Sequence, residues 1–259
     1  MFDISYSAAG FAVGAIVGLT GVGGGSLMTP LLVLGFGVPP VTAVGTDLLF
    51  AGITKVGGAV NHGRKGHVDW RVAGALAAGS VPGTVLALGA LAMLPPASGA
   101  TRVVVSTALG IMLVVTAVAI LFRARLLAWA EAHNGSGWLA RHRTGAAIAT
   151  GALIGLAVTF SSVGAGAVGV TALILLFPLL STVRIVATDI AHAVPITLLG
   201  GLGHAALGNV DWPMLASLVA GSLPGILLGS QLAPRIPERA LRHSLAAVLL
   251  LAGGKLALN

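Results

Sequence analysis

The chain is predicted to fold as an all-α polytopic membrane protein. It is built from two pseudo-symmetric repeats of four helical units, the first unit of each broken at a glycine-rich segment. Three observations carry this. First, 56% of the 259 residues are hydrophobic and only 8% charged, with a mean hydropathy of +1.01. Soluble domains carry roughly 25% charged residues, so this chain cannot cover a water-facing surface. Second, its apolar runs are about 20 residues long, the length of a spanning helix rather than of a barrel strand. Third, HGRKGHVDWRVAGALAAGSVPG (62–83) returns as HAALGNVDWPMLASLVAGSLPG (204–225), aligning His62 with His204, Asp69 with Asp211, Trp70 with Trp212 and Pro82 with Pro224 without a gap. The register reaches back to VGTD (44–47) against VATD (186–189). A repeat longer than a hundred residues in so apolar a chain is the plan of many secondary transporters, not of a solenoid.

Composition excludes other classes. The formal charge of +7 is not a nucleic-acid footprint, because most Lys and Arg lie between apolar runs, where the positive-inside bias accounts for them. With no cysteine there are no disulfides and no thiolate metal sites. The start, MFDISYSAAG, carries an acid and no basic stretch, unlike a cleaved signal peptide. The expected location is the inner (plasma) membrane, with the lipid bilayer and a small anion as partners. Nothing asks for a cofactor or a metal, and a homodimer is an open alternative for assembly.

Helical runs fall at 8–20, 26–38, 41–62, 70–94, 100–122, 145–160, 167–180, 183–207, 213–233 and 239–257, with one linker, a polar loop at 123–143, joining repeat one (5–122) to repeat two (144–257) in a single transporter domain. The runs 8–20 and 26–38 are each about 20 Å long at 1.5 Å per residue, too short to cross a hydrocarbon core of about 30 Å. GVGGG (21–25) separates them, and SSVGAGAVG (161–169) is its counterpart. Each pair is either one tilted span broken at glycine or a re-entrant hairpin. Single spans make the repeats parallel. The side holding the 64–67 loop then has Arg64, Lys65, Arg71, Arg123, Arg125, Arg141, Arg143 and Lys255, against Arg102, Arg184, Arg235, Arg239 and Arg242. Hairpins make the repeats inverted and leave only Arg102 and Lys255 opposite. The more lopsided distribution favours inverted repeats.

The groups able to carry chemistry lie at these breaks and inside the runs. Gly23, Gly24, Gly25 and Ser26 open the run 26–38, so their N–H groups are the unpaired donors of a helix N-terminus. With the helix dipole they make an anion site that needs no charged side chain. Gly164 and Gly166 echo them in the second half. No Gly-Lys-Ser/Thr follows, so a nucleotide is not implied; the competing use of such glycines is close helix packing. Asp47 and Asp189 occupy equivalent places inside apolar runs. A carboxylate at membrane depth costs a few kcal/mol at least, so it normally faces protein or a wet cavity and marks a pathway. Both are candidates for carrying a coupled proton. Thr46 and Thr188 beside them either serve the substrate or bond backbone where a helix begins.

Lys55, whose counterpart is Thr197, lies about 80° and 12 Å from Asp47 along a helix. The two cannot pair directly, yet Lys55 is a counter-charge for an anion unless it snorkels to the interface. His192, one turn beyond Asp189, makes an Asp–His proton pair with it. His62 and His204 are expected to end their helices near the surface. Asp69-Trp70 and Asp211-Trp212 read as an N-cap followed by an interfacial Trp. Pro82 and Pro224 are architectural.

GVGGGSLMTPLLV followed by VPPVTAVGTDL, with VDW and GSxPG elements in both halves, resembles the sulfite exporter TauE/SafE family of membrane transporters over nearly the whole chain. The resemblance implies movement of sulfite, sulfonates, related sulfur oxyanions or carboxylates across the cytoplasmic membrane, driven by ion gradients, and no enzymatic activity. It carries over to Gly23 through Ser26, Pro30, Thr46-Asp47 and Thr188-Asp189. SSVGAGAVGVTALIL departs from the pattern, lacking the triple glycine and the proline, so the halves need not contribute equally. The alternatives are a passive anion channel and an intramembrane hydrolase with Ser26 or Ser161 as nucleophile.

Overall fold

A computed structural model of the chain describes residues 3–20, 25–95, 98–132, 142–232 and 238–258. Among them are ten helices and no strand: α1 (Ile4–Thr20), α2 (Gly25–Gly35), α3 (Pro40–Arg64), α4 (Trp70–Met93), α5 (Gly99–Ala132), α6 (Arg143–Ser161), α7 (Ala167–Leu176), α8 (Thr182–Ala206), α9 (Trp212–Leu232) and α10 (Glu238–Leu258). Six of them, α3, α4, α5, α6, α8 and α9, are long and apolar enough to cross a membrane. The protein is a multi-pass membrane protein.

Local chemistry sets the helix ends. Pro40 opens α3, where its missing N–H costs nothing. Asp69 caps α4, its Oδ1 accepting the Val72 N–H at 3.2 Å, and Asp211 does the same for Met214 at 2.9 Å. Trp70 and Trp212 follow, 65% and 57% exposed, as side chains meant for the lipid–water boundary are. Gly66 and Gly208 take positive φ just beyond α3 and α8, the backbone form that ends a helix most cheaply in glycine.

Two expectations need correction. The stretch 123–143 is not all loop, because α5 continues through Ala132. Residues 123–132, RARLLAWAEA, are strong helix formers without Gly or Pro, so polarity there marks a helix leaving the apolar layer rather than its end. The run 167–180 stops at Leu176, since Pro178 pushes Phe177 out of the α region.

The halves interlock. α1 packs along α9 and α4 along α6, the first helix of each half against the fourth of the other. Both contacts are glycine seams. Gly10, Gly14 and Gly18 lie on α9 backbone at Leu218, Ser222 and Ile226, and Gly221, Gly225 and Gly229 lie on α1 backbone. Gly79 and Gly83 meet α6 backbone, while Gly151 and Gly155 meet the α4 carbonyls of Leu76 and Ser80. A Cβ at any of these positions would overlap the facing backbone, so small residues at i, i+4 bring the axes together.

These neighbours also fix direction: α1 runs parallel to α9, and α4 parallel to α6. At the centre, α3 and α8 run antiparallel, with Gly45 against His204, Gly52 against Leu198 and Gly58 against Ile190. α5 pairs with α10 through Gly110 and Gly253. α9 packs on α3, with Asp211 before its start bonded to Thr46 near the start of α3 and Leu218 clustered with Phe50 further along, so α9, and α1 with it, points the same way as α3. Around this frame Met28, Leu32, Phe50 and Leu218 fill one apolar cluster and Leu76, Leu173 and Ile185 another.

Candidate functional site

The polar interior lies where α2, α3, α7 and α8 meet. α2 has 11 residues and α7 has 10, about 16 Å and 15 Å of helix, so their N-termini stop short of a full crossing. Gly23 and Gly24 lie outside the described residues. Gly25 opens α2 and Ser26 is buried in its first turn. In the second half α6 ends at Ser161. Ser162 is then left-handed at φ 57°, Gly164 has φ 121° and Gly166 φ 149°. Only glycine adopts the last two without strain, which is why they survive where the triple glycine has not.

The aspartates are buried, and their partners differ. Asp47 Oδ2 accepts the hydroxyl of Thr29 from α2. Asp47 Oδ1 has no partner, and the equally partnerless Ser162 hydroxyl stands near the carboxylate. Asp189 accepts no hydrogen bond from any described residue, and its buried Oδ1 rests against Gly169 of α7. Lys55 crosses from α3 to the opposite half, its Nζ donating to the Ala165 carbonyl at 2.7 Å. Lys55 lies within electrostatic reach of Asp189 first and Asp47 second, and of His192. It is thus drawn to the second interruption rather than snorkelling outward.

His192 does not bond Asp189. Its Nε2 shares a hydrogen bond of 2.8 Å with Ser80 of α4, and Nδ1 is buried without a partner. The Asp–His pair expected from spacing is not formed: although residues three apart share a helix face, the His192 ring turns its Nε2 to Ser80 of α4. His204 is not near the surface but fully buried, with Nε2 on the Thr159 carbonyl at 3.0 Å; Gly45 leaves room for its ring. His62 sits in the last turn of α3, its Nδ1 3.3 Å from that of His67.

Thr46 and Thr188 point the other way from the aspartates beside them. The Thr46 hydroxyl accepts the Asp211 N–H at 3.0 Å, and the Thr188 hydroxyl accepts the Asp69 N–H at 2.9 Å. Each keeps its own proton for a further acceptor. Reasoning from the sequence missed Thr29, Ser80, Ser162 and Gly169. Two had a signal: Thr29 aligns with Thr171, and Ser80 with Ser222 inside the GSxPG element.

Charged groups enclosed at helix interruptions inside a multi-pass α-helical bundle fit a helical membrane transport protein, and the comparisons with known proteins give the same class. The chain belongs to the family described as "Sulfite exporter TauE/SafE", whose model matches residues 6–256. It is 37% identical over 254 residues to "Probable membrane transporter protein YjnA" of Bacillus subtilis, covering 98% of this chain and 99% of that one. It is 28% identical to "Probable membrane transporter protein YdhB" of the same organism, with 94% and 95% coverage. A "Probable membrane transporter protein" of Xylella fastidiosa is 29% identical, with 87% and 83% coverage. No solved structure matches the chain.

Proposed function

We propose that the protein is a secondary transporter that moves small sulfur oxyanions, sulfite or organosulfonates, across the cytoplasmic membrane, coupled to a proton gradient. The observation that carries this is Lys55, an ammonium held inside the bundle, reaching from one half to the interruption of the other. A buried charge is costly unless paired or used. This one faces two carboxylates, which leaves room for an anion only if a proton accompanies it. Ser26 and the N–H groups of Gly23, Gly24 and Gly25 would offer donors on one side, with Gly164 and Gly166 on the other. Thr46 and Thr188, expected to serve the substrate, bond the Asp211 and Asp69 N–H groups instead and leave this role to the interruptions. Asp47, Asp189 and His192 are the set from which the coupled proton is drawn. Export is the direction in the family's description; sulfite is the substrate its name suggests.

Inverted repeats suit this function, because rocking one half against the other opens the site to each side in turn. The helix directions support them. α3 and α8, aligned in sequence, run antiparallel, and α1 runs with α3, as a hairpin of α1 and α2 requires. Arg64, Lys65, Arg71, Arg184 and the basic ends of α5, α6 and α10 then share the cytoplasmic side.

A thermal-shift screen of the purified protein against sulfite, sulfate, thiosulfate, sulfonates and small carboxylates tests the substrate class. Stabilisation by sulfite or a sulfonate that vanishes in Lys55→Met supports it. Equal stabilisation of wild type and variant, or a response to carboxylates alone, removes it.

A further inference from the structure

The two halves align at their carboxylates and differ in what surrounds them. Thr29 donates to Asp47. Thr171, which stands where Thr29 does, turns instead to the Ala167 carbonyl of its own helix at 2.7 Å, and the buried Asp189 Oδ1 has no hydrogen-bond partner among the described residues. Its Oδ1 lies so close to Gly169 that a Cβ there would overlap it. Gly169 is in the first turn of α7, where the Gly164 and Gly166 carbonyls take the N–H groups of Gly169 and Val170. Those of Ala167 and Val168 have no described partner, as the opening N–H groups of a helix usually lack one. The Lys55 ammonium sits on Ala165, and the buried Ser162 hydroxyl has no partner. An ammonium and a helix N-terminus therefore gather at the α6–α7 interruption, and the anions found there belong to the protein: Asp189 against Gly169, and Asp47 on the Ser162 side.

We infer that Asp189 is a resident anion at this interruption, and that the transported oxyanion takes its place once Asp189 is protonated. The inference rests on the transport function proposed above and narrows its proton set to one residue. Lys55 and Asp47 of α3 and His192 of α8 are the titratable groups around Asp189; Asp69 and Arg184, near Thr188, pair with each other. α7 has no titratable side chain, and α4 contributes Ser80 through His192. While Asp189 is ionised, a second anion beside it meets like charge in a low-dielectric interior. Protonation converts the carboxylate to a neutral carboxyl, and the negative charge of the entering anion replaces the one removed. The site keeps its net charge, so a singly charged anion and one proton bind together, leave together and cross in the same direction. Asp47, held by Thr29, keeps its place throughout.

The test uses the full-length protein in proteoliposomes and labelled sulfite. In the gradient assay external pH is held constant, so the probe's own protonation does not change, and the lumen is either matched or made more alkaline, with the membrane potential clamped; in counterflow, where pH is varied, each variant is scored as its ratio to wild type at the same pH. Wild type should take up sulfite faster with the alkaline lumen, and counterflow into sulfite-loaded vesicles at matched pH should weaken as pH rises. Asp189→Asn should lose the gradient stimulation, and its counterflow relative to wild type should rise with pH. Asp47→Asn should keep both pH responses, whatever its amplitude. Gradient stimulation in Asp189→Asn, or its loss in Asp47→Asn alone, overturns the inference. If Asp189→Asn shows no counterflow, Asp189→Glu decides: a gradient response supports the inference, and its absence overturns it. Absence of sulfite counterflow in wild type instead removes the proposed function. Counterflow without any pH response in wild type removes proton coupling while leaving sulfite transport standing.

Discussion

The hydroxyl of Thr46 accepts the backbone N–H of Asp211 at 3.0 Å, joining α3 of one half to the first residue before α9 of the other. Its mirror is the Thr188–Asp69 bond at 2.9 Å. Each half thus supplies the acceptor that satisfies the N–H at the start of a helix in its partner. Residues that flank the intramembrane carboxylates along the chain serve, at least in part, to lock the two halves together.

Removing either hydroxyl should therefore destabilise the fold. Thr46→Val removes the acceptor of the part-buried Asp211 N–H bond, a loss of about 1 kcal/mol, so its melting temperature in detergent should fall while Thr46→Ser stays near wild type. A Thr46→Val protein that melts like wild type but no longer binds sulfite would assign that hydroxyl to the substrate alone.

The glycine seams predict a position-dependent response to one methyl group. Gly155→Ala drives a Cβ into the Ser80 carbonyl, and Gly14→Ala does the same at Ser222. Both should lower yield and thermal stability by an amount typical of overpacking, about 1–3 kcal/mol. Gly74 and Gly89 have open space beside them. Alanine there should be neutral or stabilising by up to about 1 kcal/mol through helix propensity. Thermal denaturation of the four variants side by side checks this.

Arg184 and Asp69 form an ion pair at 3.3 Å, with side chains 46% and 23% exposed. So exposed a pair contributes about 0–1 kcal/mol and is screened by salt. Arg184→Ala should shift stability little, and less in high salt. Asp69→Ala also removes the α4 cap and should cost about 1 kcal/mol more. Equal losses for the two would mean that the cap contributes nothing.

Ser162 pays for a left-handed backbone at φ 57°. Ser162→Gly removes a penalty of about 1 kcal/mol, so the protein should melt higher. If the unpaired hydroxyl serves the anion, sulfite counterflow should fall in the same variant. A rise in both quantities would mark Ser162 as a structural residue.

Membrane topology is open to a direct check in this cysteine-free chain. Single cysteines at residues 3–5 and 64–67 should react with impermeant reagents from opposite sides, because α1 and α3 point the same way. Labelling from one side would remove the hairpin and the inverted repeat with it.

Much of this was legible in residue order. Hydropathy and length mark helices in lipid because backbone groups there can be satisfied only within the segment, and helix boundaries followed from Pro40, Asp69, Asp211 and the glycines after α3 and α8. The buried Asp47 and Asp189 and the half-buried Lys55 stood out because ionisable groups are rare at that depth. The partners of those groups were not legible. Thr29, Ser80, Gly169 and the Ala165 carbonyl lie far away along the chain and reach the site through packing. Whether His192 meets Asp189 or Ser80, and whether His204 is exposed or enclosed, turned on how α4, α6 and α8 pack, with Gly45 making room for the His204 ring. Periodicity and composition encode how each segment treats lipid. They carry no record of which carbonyl an ammonium will find across an interface, and that asymmetry between two similar halves emerged only once the helices were packed.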